Sequence, residues 1–144
     1  MPCETRKRFL DWVAKARIEK GLREALVTAC TAEPPIPSVN ALARRQEVTP
    51  RWLDEQWRRS AGIRSPPLKT FLEALQVVRI LELRAARLEW ASICRQLNIS
   101  ESTLRRRIRF FADSSLSQIC PEDAQAILFE VVQDLAARFA EIFE

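Results

Sequence analysis

The sequence contains an internal repeat, and this repeat constrains the fold more than any other feature. When the chain is offset by 51 residues, the segment LARRQEVTPRWLDEQWRRSAG (42–62) aligns with ICRQLNISESTLRRRIRFFAD (93–113). Apolar and small residues recur at matching places along both segments. Four aligned pairs are identical: Arg44 with Arg95, Leu53 with Leu104, Arg58 with Arg109, and Ala61 with Ala112. Two copies of one pattern predict two copies of one supersecondary unit.

Each copy predicts a short helix, a tight turn and a second helix. Thr49 and Ser100 occupy the N-cap position before the second helix, where a hydroxyl accepts an otherwise unpaired backbone N–H. Pro50 in one copy and Glu101 in the other suit the first helical turn. This is the helix-turn-helix pattern, whose second helix can enter the major groove of DNA. In the second copy, the predicted buried stripe consists of Leu104, Ile108 and Phe111.

The stretches outside the repeat also carry apolar residues at helical spacing, and prolines separate them. One or two helices are predicted before Thr31, with Gly21 as a possible joint. A helix of about 20 residues is predicted from Leu68 to about Leu88, with one buried stripe and a length near 30 Å. A final helix with a broad apolar face follows Pro121. We therefore expect an all-α fold in which a long linker helix joins two helix-turn-helix units, with extra helices at both ends.

Charge is distributed unevenly over the predicted segments, which are an N-terminal helical segment (1–37), a first helix-turn-helix (38–64), a linker helix (65–88), a second helix-turn-helix (89–119) and an acidic C-terminal helix (120–144). Residues 1–37 hold seven basic and five acidic side chains, residues 38–112 hold fifteen and seven, and residues 113–144 hold one and seven. The net charges are therefore +2, +8 and −6. A basic middle attracts polyanions such as DNA, whereas an acidic last helix is repelled by them and favours a protein partner.

Composition disfavours several classes of function. The chain has two glycines, too few for a P-loop or a GxGxxG phosphate-binding turn, and no histidine, the commonest general base and metal ligand. The four cysteines are dispersed without a CxxC pair: Cys3, Cys30, Cys94 and Cys120. We therefore predict no enzyme, no metal site and no cofactor. No stretch approaches the ~20 apolar residues of a membrane span, and the start of the chain does not read as a signal peptide, so we expect a cytoplasmic protein without membrane association.

The first unit fits the pattern L-A-x-x-x-x-[VL]-[ST]-x-x-x-L-x-x-x-[FW]-[KR]-x-x-x-G through Leu42, Ala43, Val48, Thr49, Leu53, Trp57, Arg58 and Gly62. Pro66, Phe71, the linker helix and the second unit then follow. Over roughly residues 29–119, this order of parts resembles the DNA-binding domain of AraC/XylS-type transcription regulators. The second unit departs from the family pattern, because Asn98 and Ile99 stand where a Gly-Phe pair is usual. The loop before Phe71 is also one residue longer.

The resemblance implies an all-helical, bilobed domain that binds bacterial promoter DNA and often contacts RNA polymerase as an activator. The compact MarA-like activators without a sensor domain are the nearest members, because only about 37 residues precede the first unit. By position, the resemblance assigns base reading to Arg51, Trp52 and Glu55 in the first unit and to Ser102, Thr103 and Arg106 in the second.

The residues themselves predict that the two units are unequal. The second helix of the first unit carries Asp54 and Glu55 among its arginines, and carboxylates are repelled by phosphates. Arginine can form paired hydrogen bonds with guanine or contact phosphates. We expect the second unit to supply most of the DNA affinity through Arg105, Arg106, Arg107 and Arg109. Further phosphate contacts are predicted at Arg44, Arg58 and Arg95.

Two hypotheses of function follow. The leading one is a sequence-specific DNA-binding transcription regulator that places its recognition helices in adjacent major grooves. The alternative is a protein-interaction adaptor with a degenerate helix-turn-helix body that docks on RNA polymerase or another regulator. The C-terminal helix also has two interpretations. It either caps the hydrophobic body, or it exposes Phe139, Ile142 and Phe143 to a second copy or another protein.

Overall fold

The computed structural model of the chain describes the backbone of residues 4–62 and 66–143, and the side chains of residues 7–62 and 66–139. All regular elements in these ranges are helical, so the predicted all-α fold is confirmed. The helices are α1 (Glu4–Lys15), α2 (Lys20–Thr31), α3 (Val39–Arg45), α4 (Pro50–Ala61), α5 (Leu68–Ala85), α6 (Trp90–Leu97), α7 (Glu101–Ala112) and α8 (Pro121–Phe143), with a 3₁₀ turn at Leu116–Gln118.

Side-chain caps start the second helix of each repeat where the sequence predicts. The Thr49 hydroxyl accepts the backbone N–H of Trp52 at 3.1 Å, and the Ser100 hydroxyl accepts that of Thr103 at 3.2 Å. Pro50 lies in the first turn of α4. A backbone N–H at this position has no acceptor within the helix, so proline, which lacks the N–H, costs no hydrogen bond there. The helix pairs α3–α4 and α6–α7 are therefore the two predicted helix-turn-helix units, and α5 joins them.

The break between α1 and α2 lies at residues 16–19, so the prediction of a joint at Gly21 is wrong. The Glu19 carboxylate accepts the backbone N–H of Leu22 at 3.0 Å and caps α2, which leaves Gly21 inside the first turn. The missing side chain of Gly21 serves packing instead. A β-carbon built there would approach the ring carbon Cη2 of Trp52 to 2.7 Å. Gly21 thus lets α2 lie close to α4.

The linker helix α5 lies at the centre of the fold. It spans 18 residues, or about 27 Å at 1.5 Å per residue. It ends at Ala85 rather than near Leu88, and Arg87 in the following turn has a left-handed φ of 71°. The prediction of one buried stripe is wrong, because buried residues occupy most of its circumference and include the polar Gln76. Helices α2, α3, α6, α7 and α8 all contact α5, so few of its faces are left to solvent.

The C-terminal helix α8 packs along α5 and also contacts α1, α4 and α7. Near its end, Phe139 is buried among three aromatic rings. Its ring centroid lies 5.1 Å from that of Phe71, 6.1 Å from that of Trp57 and 6.2 Å from that of Trp12. The interpretation in which α8 exposes Phe139 is therefore wrong, because these rings, drawn from α1, α4 and α5, enclose it.

For the described part of α8, the packing supports the interpretation of a cap on the hydrophobic body. Ile142 and Phe143, which the interpretation of a docking helix also exposes, lie beyond the described side chains. On the outer side of α8, Phe129 is 62% exposed. None of the helices, over the residues described, is long and apolar enough to cross a membrane.

We predict that Phe139→Ala lowers the free energy of unfolding by about 3–5 kcal/mol, because it leaves a cavity at the meeting point of four helices. The matched control is Phe129→Ala on the same helix, which removes an exposed ring and is expected to change stability by less than about 0.5 kcal/mol. Urea denaturation followed by circular dichroism measures both. Equal effects of the two variants would contradict the packing role of Phe139.

Candidate nucleic-acid interface

The two helix-turn-helix units share one turn geometry. Glu47 and Asn98, which align in the repeat, both adopt left-handed backbone conformations with φ of 58° and 54°. In the first turn the N–H of Val48 donates to the carbonyl of Ala43 at 3.0 Å, and in the second the N–H of Ile99 donates to that of Cys94 at 3.1 Å. This is the Schellman pattern, which stops a helix and reverses the chain. The repeat in the sequence is therefore also a repeat in hydrogen bonding.

Small residues allow the two helices of each unit to approach. Ala43 is buried in the first unit, and the equivalent Cys94 is half-buried in the second. Burial, assisted by the nearby Glu101 carboxylate, raises the pKa of the Cys94 thiol, so the group stays protonated at neutral pH. Cys94 therefore acts as a small apolar residue.

The second unit presents a basic surface on α7. Leu104 and Ile108 are fully buried and Phe111 is half-buried, which confirms the predicted stripe and turns the opposite side of α7 outward. Thr103 is half-buried beside this surface. We call the four exposed side chains on the outward side the basic face of α7: Ser102, Arg105, Arg106 and Arg109.

The arginines of the basic face differ in their partners. The Arg105 guanidinium donates to the Glu101 carboxylate at 2.6 Å, one helical turn away. Arg106 has a long contact of 3.4 Å to the Thr103 hydroxyl. Among the described residues, Arg106 and Arg109 have no carboxylate within ion-pair distance. These two arginines are therefore the most available donors for an incoming acceptor.

Arg107 lies on a different side of α7 from the other arginines of this helix. It is half-buried near the first turns of α5, and its Nη1 has no hydrogen-bond partner among the described residues. Desolvation lowers the pKa of its guanidinium, although the Glu73 carboxylate acts in the opposite direction. Arg107 thus lies outside the basic face, on the side of α7 that turns toward the first unit.

The first unit offers a weaker basic surface on α4. Arg51 and Glu55, both predicted to read bases, form an ion pair with each other at 3.2 Å. Arg58 is exposed. Together with Asp54 it lines a groove of about 390 Å³ that also receives Arg107 from the second unit. Acidic and basic groups are therefore mixed along α4.

Trp52, also predicted to read bases, is half-buried and packs against the hydrophobic core. Its ring lies over Gly21 of α2, so one side of the indole is occupied by the protein itself. The predicted phosphate contacts Arg44 and Arg95 are both exposed in the last turns of α3 and α6. Arg95 also donates to the Ser92 hydroxyl at 3.1 Å. The two arginines thus hold equivalent positions in the two units.

Sequence reasoning missed two polar groups that border α7. Lys69 in the first turn of α5 lines a cavity with Arg106 and Arg107, and the segment 114–117 lines another with Arg105 and Arg109. Neither belongs to the repeat, so periodicity carries no signal for them. Within the described ranges, no group of three or more cysteine or carboxylate side chains is placed to hold a metal ion.

No protein-family model, no curated protein and no solved structure matches this chain.

The left-handed residue in the first turn leads to a stability prediction. Glycine adopts this conformation without the steric cost that a side chain brings, so Glu47→Gly is expected to raise the free energy of unfolding by about 0.5–1 kcal/mol. Asn98→Gly is the matched control in the second turn, and we expect a smaller gain because asparagine tolerates this conformation. Chemical denaturation of both variants provides the comparison. A loss of stability in Glu47→Gly would contradict the turn geometry.

Proposed function

We propose that the chain is a sequence-specific DNA-binding transcription regulator of the AraC/XylS-like type, acting in the bacterial cytoplasm without catalysis. The observation that carries the proposal is the pair of helix-turn-helix units with one turn geometry, the second of which exposes the basic face of α7. Hydrogen-bonded hairpins of helices are common in proteins. A pair of such units on either side of one helix is the arrangement that the AraC/XylS resemblance implies for a domain that reads DNA with two helices.

The chemistry of the basic face fits recognition of a base pair in the major groove. A guanidinium donates two parallel hydrogen bonds to O6 and N7 of guanine, which is the commonest specific contact between proteins and DNA. Arg106 is exposed on the outward side of α7 and has only a long contact to Thr103. Ser102 near the start of α7 supplies a hydroxyl for a base edge or a phosphate. We assign the base-reading role first to Arg106.

The charge pattern supports an unequal contribution from the two units. In α4, the Glu55 carboxylate accepts a hydrogen bond from Arg51 and offsets its charge, and Asp54 adds a further negative charge nearby. In α7, the charged side chain at the position of Glu55 in the repeat is Arg106. In this proposal the second unit therefore supplies most of the affinity for DNA, and the first unit helps to position the protein along the duplex.

The AraC/XylS resemblance agrees with this assignment, because its pattern falls on residues with matching roles. Leu42, Leu53 and Trp57 are buried, and Gly62 ends α4 with a φ of 86° that favours glycine. The Trp57 indole N–H donates to the carbonyl of Pro66 at 2.8 Å, which ties the end of α4 to the start of the linker. The pattern residues thus describe a packed unit of the kind the resemblance implies.

Charge reversal on the basic face tests the proposal. Selection from random duplexes is expected to yield a motif, and Arg106→Glu is expected to weaken binding to that motif at least tenfold, because one lost bidentate contact costs about 1–3 kcal/mol and the new carboxylate repels phosphate. Arg138→Glu is the matched control. It makes the same charge change at an exposed position of α8, and we expect binding within twofold of wild type.

A further prediction compares the two units. Arg51→Ala removes a side chain that is already ion-paired, so it is expected to reduce specific affinity less than Arg106→Ala does. Fluorescence anisotropy with the selected duplex at fixed salt measures both variants. Equal losses would show that the first unit reads bases as strongly as the second and would contradict the unequal contribution.

The alternative function, an adaptor that binds a protein, is favoured by one observation on α8. Its outer side carries the exposed Phe129 beside Glu130 and Asp134, and such a surface suits a basic protein partner. The two functions differ in the selection experiment. An enriched motif that Arg106→Glu abolishes supports the DNA reader, whereas steeply salt-dependent binding without enrichment supports the adaptor.

A further inference from the structure

The basic face of α7 lies between two cavities of different composition. The outer cavity, of about 420 Å³, is bounded by Arg105, Arg109 and the segment 114–117. The inner cavity, of about 340 Å³, is bounded by Lys69, Arg107 and Phe110. Arg106 lines both cavities, so it forms the ridge between them. The helical spacing explains why Arg106 lies between the cavities. Successive residues are 100° apart, so Arg105 lies on one side of Arg106 and Arg107 on the other.

The outer cavity is closed by a serine-rich turn that the structure holds in place. Asp113 ends α7 with a left-handed φ of 50°. The N–H of Ser115 donates to the Gln118 side chain at 3.0 Å, and the hydroxyl of Ser114 donates to the carbonyl of Ala112 at 3.1 Å. These bonds fix the turn against the end of α7.

The hydroxyls of Ser115 and Ser117 lie 3.1 Å apart, so one of them donates to the other. The proton of the other hydroxyl is not used in this bond and can be donated to another acceptor. Ser117 is exposed. The outer cavity therefore combines a hydroxyl donor with the guanidinium groups of Arg105 and Arg109.

The inner cavity offers a second cationic site on the opposite side. The Lys69 side chain is 75% exposed and lies 3.8 Å from the Glu73 carboxylate, a distance at the limit for an ion pair. The buried Nη1 of Arg107 has no partner within the described part of the chain. Phe110 is 69% exposed beside these groups and contributes an apolar edge. Two cations, the Glu73 carboxylate and the rings of Phe110 and Phe111 thus line this side of α7.

A helix in a major groove is bordered by two sugar-phosphate strands. The groove is about 12 Å wide, close to the diameter of a helix with its side chains, so each strand passes along one flank of the helix. Phosphate oxygens accept hydrogen bonds from arginine, lysine and serine, which are the donors present on the two flanks of α7. A small anion would occupy only one of the two cavities, whereas the two strands of a duplex would occupy both at once.

We propose that the two cavities each hold one phosphate strand of the same duplex, with Ser117 and Arg109 contacting the outer strand and Lys69 and Arg107 contacting the inner strand. The inference rests on the proposed insertion of α7 into the major groove. It adds Ser117 and Lys69, which lie outside the repeat, to the DNA-contacting residues. It also gives Arg107 a role distinct from that of the basic face.

The test combines charge variants with salt titration on a duplex that contains the selected motif. Lys69→Gln is expected to weaken binding about fivefold to tenfold near 0.1 M salt and to reduce the slope of log affinity against log salt by about 0.9, the value for one phosphate contact. Lys15→Gln is its control, on α1, which packs against α2 and α8. Ser117→Glu is expected to weaken binding similarly, with Gln133→Glu on α8 as its control.

Ser117→Lys provides a variant whose expected result is a gain. It adds a cation to the outer cavity, so both the affinity and the salt slope are expected to rise. Because a misfolded protein cannot gain affinity in this way, the variant separates a local contact from a disturbed turn.

Duplexes with single methylphosphonate groups locate each contact. Neutralising phosphates on one strand is expected to cancel the effect of Lys69→Gln and leave that of Ser117→Glu, and neutralising phosphates on the other strand is expected to do the reverse. The proposal is overturned if both variants respond to the same strand, or if both bind like their controls while Arg106→Glu still loses the motif. If the wild-type protein selects no motif, the proposed function itself fails.

Discussion

The burial of α5 on most of its sides is the constraint on which the rest of the structure depends. A helix of 18 residues whose apolar side chains point in nearly every direction must be covered by several partners. The helix-turn-helix units and α2 cover part of it, and α8 packs along its length. Phe139 completes this cover by entering the cluster formed by Trp12, Trp57 and Phe71. The body that holds α4 and α7 is therefore built from the ends of the chain as much as from the repeat.

The packing around α5 also determines which arginines reach solvent. Leu104 and Ile108 are anchored in the core, so the rotation of α7 about its own axis is fixed. One helical turn then distributes the charged side chains over three directions. Arg106 points outward, Arg105 and Arg109 face the serine-rich turn, and Arg107 faces Glu73. The four arginines, although they lie within five consecutive positions, therefore have different neighbours.

The two units differ in chemistry although they share a backbone. Their turns have the same left-handed residue and the same hydrogen bonds, because each must reverse the chain between two short helices. The surfaces that follow are different, since Arg51 is ion-paired with Glu55 in α4 while Arg106 has no carboxylate partner in the described structure. The two units therefore share the features that fold them, together with the exposed arginine pairs Arg44 with Arg95 and Arg58 with Arg109, while other exposed positions differ.

Local patterns in the sequence were sufficient to predict the class of the fold and the two units. Hydroxyl caps at Thr49 and Ser100, apolar residues at helical spacing and the 51-residue offset are determined by interactions within a few residues, so they can be read from the chain. The joint before α2 was misplaced because a carboxylate cap at Glu19, rather than a flexible glycine, decides it.

Burial and orientation required the tertiary structure, because they depend on residues that are distant in the chain. The sequence by itself determined that the protein is helical, that it contains two helix-turn-helix units and that its middle is basic. Only the packing of the helices against one another decided that Phe139 is enclosed, that Trp52 lies against Gly21 and that Arg107 turns toward the first unit. Those outcomes arise from contacts between helices that are far apart in sequence. The pattern of residues along the chain does not specify which of these helices contact one another.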